Sequence, residues 1–133
     1  MGSKQLRRWL LLLSMAALGA GCSDMGSEPE QAPPPPTGPV SFSQQVLPIF
    51  QQSGCTGCHG GNGGLFVGTV QQLLQGGIHG PAVVPGNSDS SVIIQKLSVS
   101  PPFGSRMPQG GPYLPEATVS IIRTWINQGA QDN

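Results

Sequence analysis

The segment Cys55-Thr56-Gly57-Cys58-His59 constrains this chain more than any other stretch. Two thiols separated by two small residues can bond along one edge of a flat group, and the imidazole that follows at once can turn beneath it. In an exported chain, C-x-x-C-H reads as the attachment site of a c-type haem. The spacing has a mechanical reason. The thiols add across the two vinyl groups on one edge of the porphyrin, and the next residue supplies the proximal ligand to the iron. Other readings of these residues compete. A thioredoxin-like redox pair needs a βαβ context, which the flanking sequence does not offer. Zinc needs four protein ligands, and Cys55, Cys58, His59 and His79 would have to serve without a second C-x-x-C or an H-x-x-x-H pair. A Cys55–Cys58 disulfide would leave His59 without a role.

The start of the chain reads as an export signal. Lys4, Arg7 and Arg8 are followed by an apolar run from Trp9 to Leu18, too short to cross a bilayer as a stable helix. The run ends in Leu18-Gly19-Ala20-Gly21-Cys22, which is similar to a bacterial lipobox, although Gly19 stands where a large aliphatic residue is usual. A plain signal peptide cut near Ala20 is the alternative. Acylation would also remove a thiol that is a liability in an oxidising compartment. The expectation is a signal peptide over 1–21, lipidation at Cys22, and a cell-envelope location facing the periplasm or the exterior. Residues 22–39 are acidic and then Pro-rich, with four consecutive prolines, Pro33 to Pro36. Such sequence favours polyproline II over a core. Extended at about 3.1 Å per residue, the 17 residues from Ser23 to Pro39 would reach about 50 Å as a tether; plain disorder is the alternative reading, compatible with it.

Only residues 40–133 read as globular. This is little chain from which to build an interior, and it holds six aromatics: Phe42, Phe50, Phe66, Phe103, Tyr113 and Trp125. A large apolar cofactor would supply part of a core. Lys96, Arg106 and Arg123 balance Asp89, Glu116 and Asp132. No basic patch is available for nucleic acid, and no charge run selects a strongly charged partner.

A haem that carries electrons needs a second axial ligand, and methionine opposite histidine raises the reduction potential. Met107 is the sole methionine of residues 40–133. It lies in Gly104-Ser105-Arg106-Met107-Pro108-Gln109-Gly110, a loop-forming context rather than that of a gap-filling core methionine. His79, in Gly76-Gly77-Ile78-His79-Gly80-Pro81, is the rival ligand; a surface loop histidine is the preferred reading. Arg106, Tyr113 and Trp125 could pair with haem propionates; a surface or packing role for each is the preferred reading.

Helical patterns are short. One covers 42–52, with Ser41 as N-cap, Phe42, Val46, Ile49 and Phe50 on one face, and a bend at Pro48. A second covers 70–75 after Thr69 and stops at Gly76. A third begins after Ser88, has Asp89 in its first turn and runs through Leu97, with Val92, Ile93 and Leu97 inward. The last opens at Pro115, has Glu116 at its positive end, an apolar face of Ile121, Ile122, Trp125 and Ile126, and a stop at Gly129. No strand pattern of any length is present. The expected class is all-α, three to five short helices with long loops around one haem.

At this point the chain resembles the single-haem cytochromes c, and more closely the planctomycete-type cytochrome c domains. The resemblance is carried by Val46-Leu47-Pro48-Ile49-Phe50, Cys58-His59-Gly60, Gly63-Gly64-Leu65, Val84-Pro85-Gly86-Asn87-Ser88, Met107-Pro108, Trp125-Ile126 and Gly129-Ala130. It implies terminal helices packed crosswise beside the haem, with His59 and Met107 on the iron. The expected function is that of a non-enzymatic electron carrier with one covalent haem c, serving redox partner proteins. The alternatives are a peroxidase-like haem enzyme and a gas or redox sensor with a labile sixth ligand.

Overall fold

The computed structural model describes Pro34 and residues 36–133. The signal peptide over 1–21, the lipidation at Cys22 and most of the Pro-rich tether lie outside the described residues. Among the described residues no helix is long and apolar enough to cross a membrane.

Five short helices are joined by long loops, and the described residues contain isolated bridges but no strands, so the class is all-α. The first helix, α1, has two parts: Phe42–Val46 is π-wound and Leu47–Gln52 is α-wound. Ser41 caps it, its hydroxyl accepting from the Gln44 N–H, which satisfies one of the donors a helix start leaves open. The expected bend at Pro48 takes the form of the π turn. Proline has no N–H, and its ring crowds the carbonyl four residues back. Widening the preceding turn, with the Leu47 N–H reaching Phe42 O, makes room for it. Phe42, Val46 and Phe50 are buried on one face.

Helix α2 is the single turn Cys55–Cys58, entered through Gly54 in the left-handed region. Helix α3, Val70–Gln75, has the boundaries read from the sequence: the Thr69 hydroxyl accepts from the Gln72 N–H, and Gly76 ends it. Helix α4, Val92–Leu97, starts three residues later than Ser88 and Asp89 suggested. Ser91 is the reason. It is fully buried, its hydroxyl donates to Asn87 O at 2.8 Å and accepts from the Val84 N–H at 2.9 Å, and this fixes residues 84–91 as turns. Helix α5, Glu116–Asn127, follows Pro115, which sits one position outside it with extended ψ.

Helix α5 buries Val119, Ile122, Trp125 and Ile126, with Trp125 against Phe42 of α1 at 5.3 Å between ring centroids. The side-chain amide of Gln128 accepts from the Val40 N–H and donates to Gly38 O, binding the start of the fold to the end of α5. The 84–88 turn docks on the same helix end: the Gly86 N–H donates to Ile126 O and the Ser88 N–H to Asn127 Oδ1. The terminal helices thus make one core, and the loops before and after α4 are hung upon it.

Candidate haem site

The C-x-x-C-H segment folds locally because it is one helical turn with a histidine stop. The His59 N–H donates to Cys55 O at 2.7 Å, and His59 leaves the helical region. This puts Cys55 and His59 on the wall of a cavity of about 310 Å³. Cys55 is half-buried and packs against the core, whereas Cys58 is exposed. Burial pushes the Cys55 thiol up; a backbone hydrogen bond opposes this and the neighbouring Cys58 adds to it. The two thiols are free of any disulfide.

The cavity walls are mostly apolar. Phe50 comes from α1, Leu65 and Val67 from the loop after the motif, Ile93 and Leu97 from α4, and Leu114 from the approach to α5. Two loops meet at this wall. The Gly61 N–H donates to Leu65 O, and the Ile78 N–H donates to Gly63 O at 2.9 Å. Gly77 sits so close to the first loop that a Cβ there would lie 2.5 Å from Gly63 O.

Nδ1 of His59 lies 3.4 Å from Asn62 O. A ring N–H donated to a backbone carbonyl fixes the imidazole and leaves Nε2 free for a metal. Met107, half-buried, lines the same cavity, its N–H donating to Lys96 O at 2.8 Å. The Met107–Pro108 peptide is cis. Apolar walls, the Cys55 thiol on them with Cys58 at the exposed end of the same helical turn, a histidine tied at Nδ1 and a thioether together fit haem c. Among the described residues no group of three His, Cys, Asp or Glu side chains could hold a metal ion, so the zinc reading lacks its ligand set there.

His79 is exposed, as a surface loop histidine would be, yet it also lines the cavity, its ring stacked on Phe103 at 4.0 Å. The propionate partners suggested by sequence are engaged elsewhere. Arg106 donates from Nε to Leu97 O and lies 4.2 Å over the Tyr113 ring. Trp125 is buried and donates from Nε1 to Gln131 O. Neither lines the cavity. The basic side chain that does is Lys96, which sequence reading weighed only as a charge. Its signal was present: Lys96 follows Ile93 by three and Val92 by four, so a helix puts it on their face, and both line the cavity.

The family model of planctomycete cytochrome C matches residues 55–109. The match begins at the first motif cysteine and ends two residues past Met107, leaving α1 and α5 outside it. No curated protein and no solved structure matches the chain significantly. The matched segment contains the motif and the candidate ligand loop, and the described residues around it are all-α; over residues 55–109 the chain is therefore similar to the planctomycete cytochrome C family.

Proposed function

We propose that this chain is a c-type cytochrome that binds one haem and passes single electrons in the cell envelope. In this reading Cys55 and Cys58 hold the haem by thioether bonds, and His59 and Met107 are its axial ligands. A lipid on Cys22 ties the chain to a membrane, and its partners are redox proteins. The observation that carries the reading is one apolar cavity lined by Cys55 and His59 from the motif and by Met107 from a loop distant in sequence.

Haem supplies reversible one-electron chemistry when bound. The chain's own residues orient and protect it. The bond from His59 to Asn62 O holds the imidazole in one tautomer. The Met107 thioether favours a higher potential than a second histidine would give. The apolar walls limit contact with water on the side they cover. A peroxidase-like enzyme would need an open sixth position and an acid–base group there. Of the described lining residues His79 could serve, and none is a carboxylate. His79 also supports a second reading, a bis-histidine haem of lower potential, because it shares the cavity with His59.

Absorption spectra of the purified protein, wild type and Met107→Ala, separate these readings. The expected wild type is low-spin, shows a sulfur-to-iron charge-transfer band in the far red when oxidised, and does not bind CO when reduced. The variant is expected to lose the band and to bind CO. Ready CO binding by reduced wild type at neutral pH would sink the carrier reading. A low-spin spectrum without the band, unchanged in the variant, would move the sixth ligand to His79.

A further inference from the structure

The segment between α4 and Met107 has no helix of its own, yet it sets where the Met107 thioether stands. Met107 Sδ is a neutral, weak donor, so its hold on a metal depends on how well its loop is preorganised. Four hydrogen bonds pin that loop to the end of α4. The Met107 N–H donates to Lys96 O at 2.8 Å, and Arg106 Nε donates to Leu97 O at 2.8 Å. The Lys96 ammonium then donates to Ser105 O at 2.6 Å and to Phe103 O, and it sits 4.7 Å from the centroid of the Phe103 ring.

A lysine in the last turn of a helix ordinarily serves that helix, through its dipole or its own last carbonyls. Lys96 does otherwise. Its acceptors are seven and nine residues further along the chain, both in the loop that leads to Met107. It is half-buried and lines the cavity. The ion pair among the described residues, Arg123 with Asp89, does not involve it. Its charge is therefore directed at the carbonyls of residues 103 and 105, and hydrogen bonds from an ionised donor are about twice as strong as neutral ones.

We infer that Lys96 is the positioning residue that holds the 103–107 loop closed so that Met107 faces the haem cavity. The inference rests on the reading of Met107 as sixth ligand. Without the ammonium the loop keeps its two backbone acceptors on α4 but loses the two bonds that fold Phe103 and Ser105 inward. Met107 would then leave the iron part of the time while the rest of the fold persists.

The test uses the full haem-loaded chain as wild type, Lys96→Met, Lys96→Gln, Lys96→Arg and, as a control, Ile94→Val. Ile94 is buried in α4 and does not line the cavity. Two readouts are followed besides the far-red band: CO binding by the reduced protein and trypsin cleavage after Arg106. Lys96→Met is expected to weaken the band and to speed both CO binding and cleavage about tenfold or more, the order expected for two lost charge-assisted hydrogen bonds. Lys96→Arg, which keeps charged donors, restores the wild-type behaviour, and Lys96→Gln falls between. Ile94→Val lowers the melting temperature and leaves band, CO binding and cleavage as they were. Should Lys96→Met fail to take up haem, Lys96→Gln carries the comparison. A wild-type band and wild-type cleavage in Lys96→Met or Lys96→Gln would overturn the role of Lys96 alone. A wild type without the band would overturn it together with Met107 as ligand.

Discussion

At Gly76 the chain has no room for a side chain. A Cβ built there would lie 1.9 Å from Gly80 O and 2.6 Å from Pro81 Cα, and its backbone, φ 72° and ψ −150°, lies in a region that is essentially glycine's alone. The residue ends α3 and starts the loop that carries His79 to the cavity. Gly76→Ala is expected to cost about 3 kcal/mol or more, from backbone strain and the clash together, read as a lower urea midpoint of the haem-loaded protein. An unchanged midpoint would mean that the 76–80 loop moves freely and is no fixed part of the wall. The residues of the site differ in how readable they were. Cys55 and His59 are brought to one cavity by a single turn, so a five-residue pattern is enough. Met107 was reachable by elimination, since no other methionine lies beyond residue 40. Lys96 was not reached, because its acceptors are carbonyls of a loop whose path only the folded chain defines.

At the scale of elements, the contrast between α3 and α4 shows what a local signal can and cannot convey. Thr69 and Gly76 flank α3 in sequence and also cap it in space, so its limits were legible. Ser88 and Asp89 imitate a helix start as well as Thr69 does, but the start of α4 is decided by Ser91. That hydroxyl is buried between Val84 N and Asn87 O, a tertiary arrangement invisible to periodicity. The π turn in α1 was legible only as a proline bend. The two caps should differ in cost. Thr69→Ala removes an exposed cap bond and is expected to cost about 1 kcal/mol. Ser91→Ala removes both part-buried bonds of a fully buried hydroxyl, with a cost of about 1–3 kcal/mol in all, since water can reach Asn87 O. Chemical denaturation of the two variants side by side should therefore show the larger loss for Ser91→Ala. Equal losses would mean that water or a backbone shift repairs the turn, and that Ser91 does not set the register of α4.

For the molecule as a whole, the helices form a core on one side and leave an apolar cavity on the other. Phe42, Trp125 and Ile122 close the interface of α1 and α5 without help. Leu65, Ile93 and Met107 pack against that core yet stay half-open where they line the cavity. A group seated in this space of about 310 Å³ would cover the apolar side chains that line it, at about 25 cal/mol per Å² of apolar surface removed from water. Small domains hold only about 5–15 kcal/mol in all. The bound group should therefore act as core, consistent with the few aromatics of the sequence. The double variant Cys55→Ala/Cys58→Ala, produced where haem is being attached to the wild type, is expected to carry no haem that survives acid–solvent extraction. A stability loss of even about 3 kcal/mol would lower its melting midpoint by about 12–24 °C in a domain of this size. Far-UV circular dichroism during heating reads that midpoint directly. If the variant lacks haem and still melts where the wild type does, α1 and α5 carry the fold alone, and the cavity is a binding cleft rather than an unfinished core.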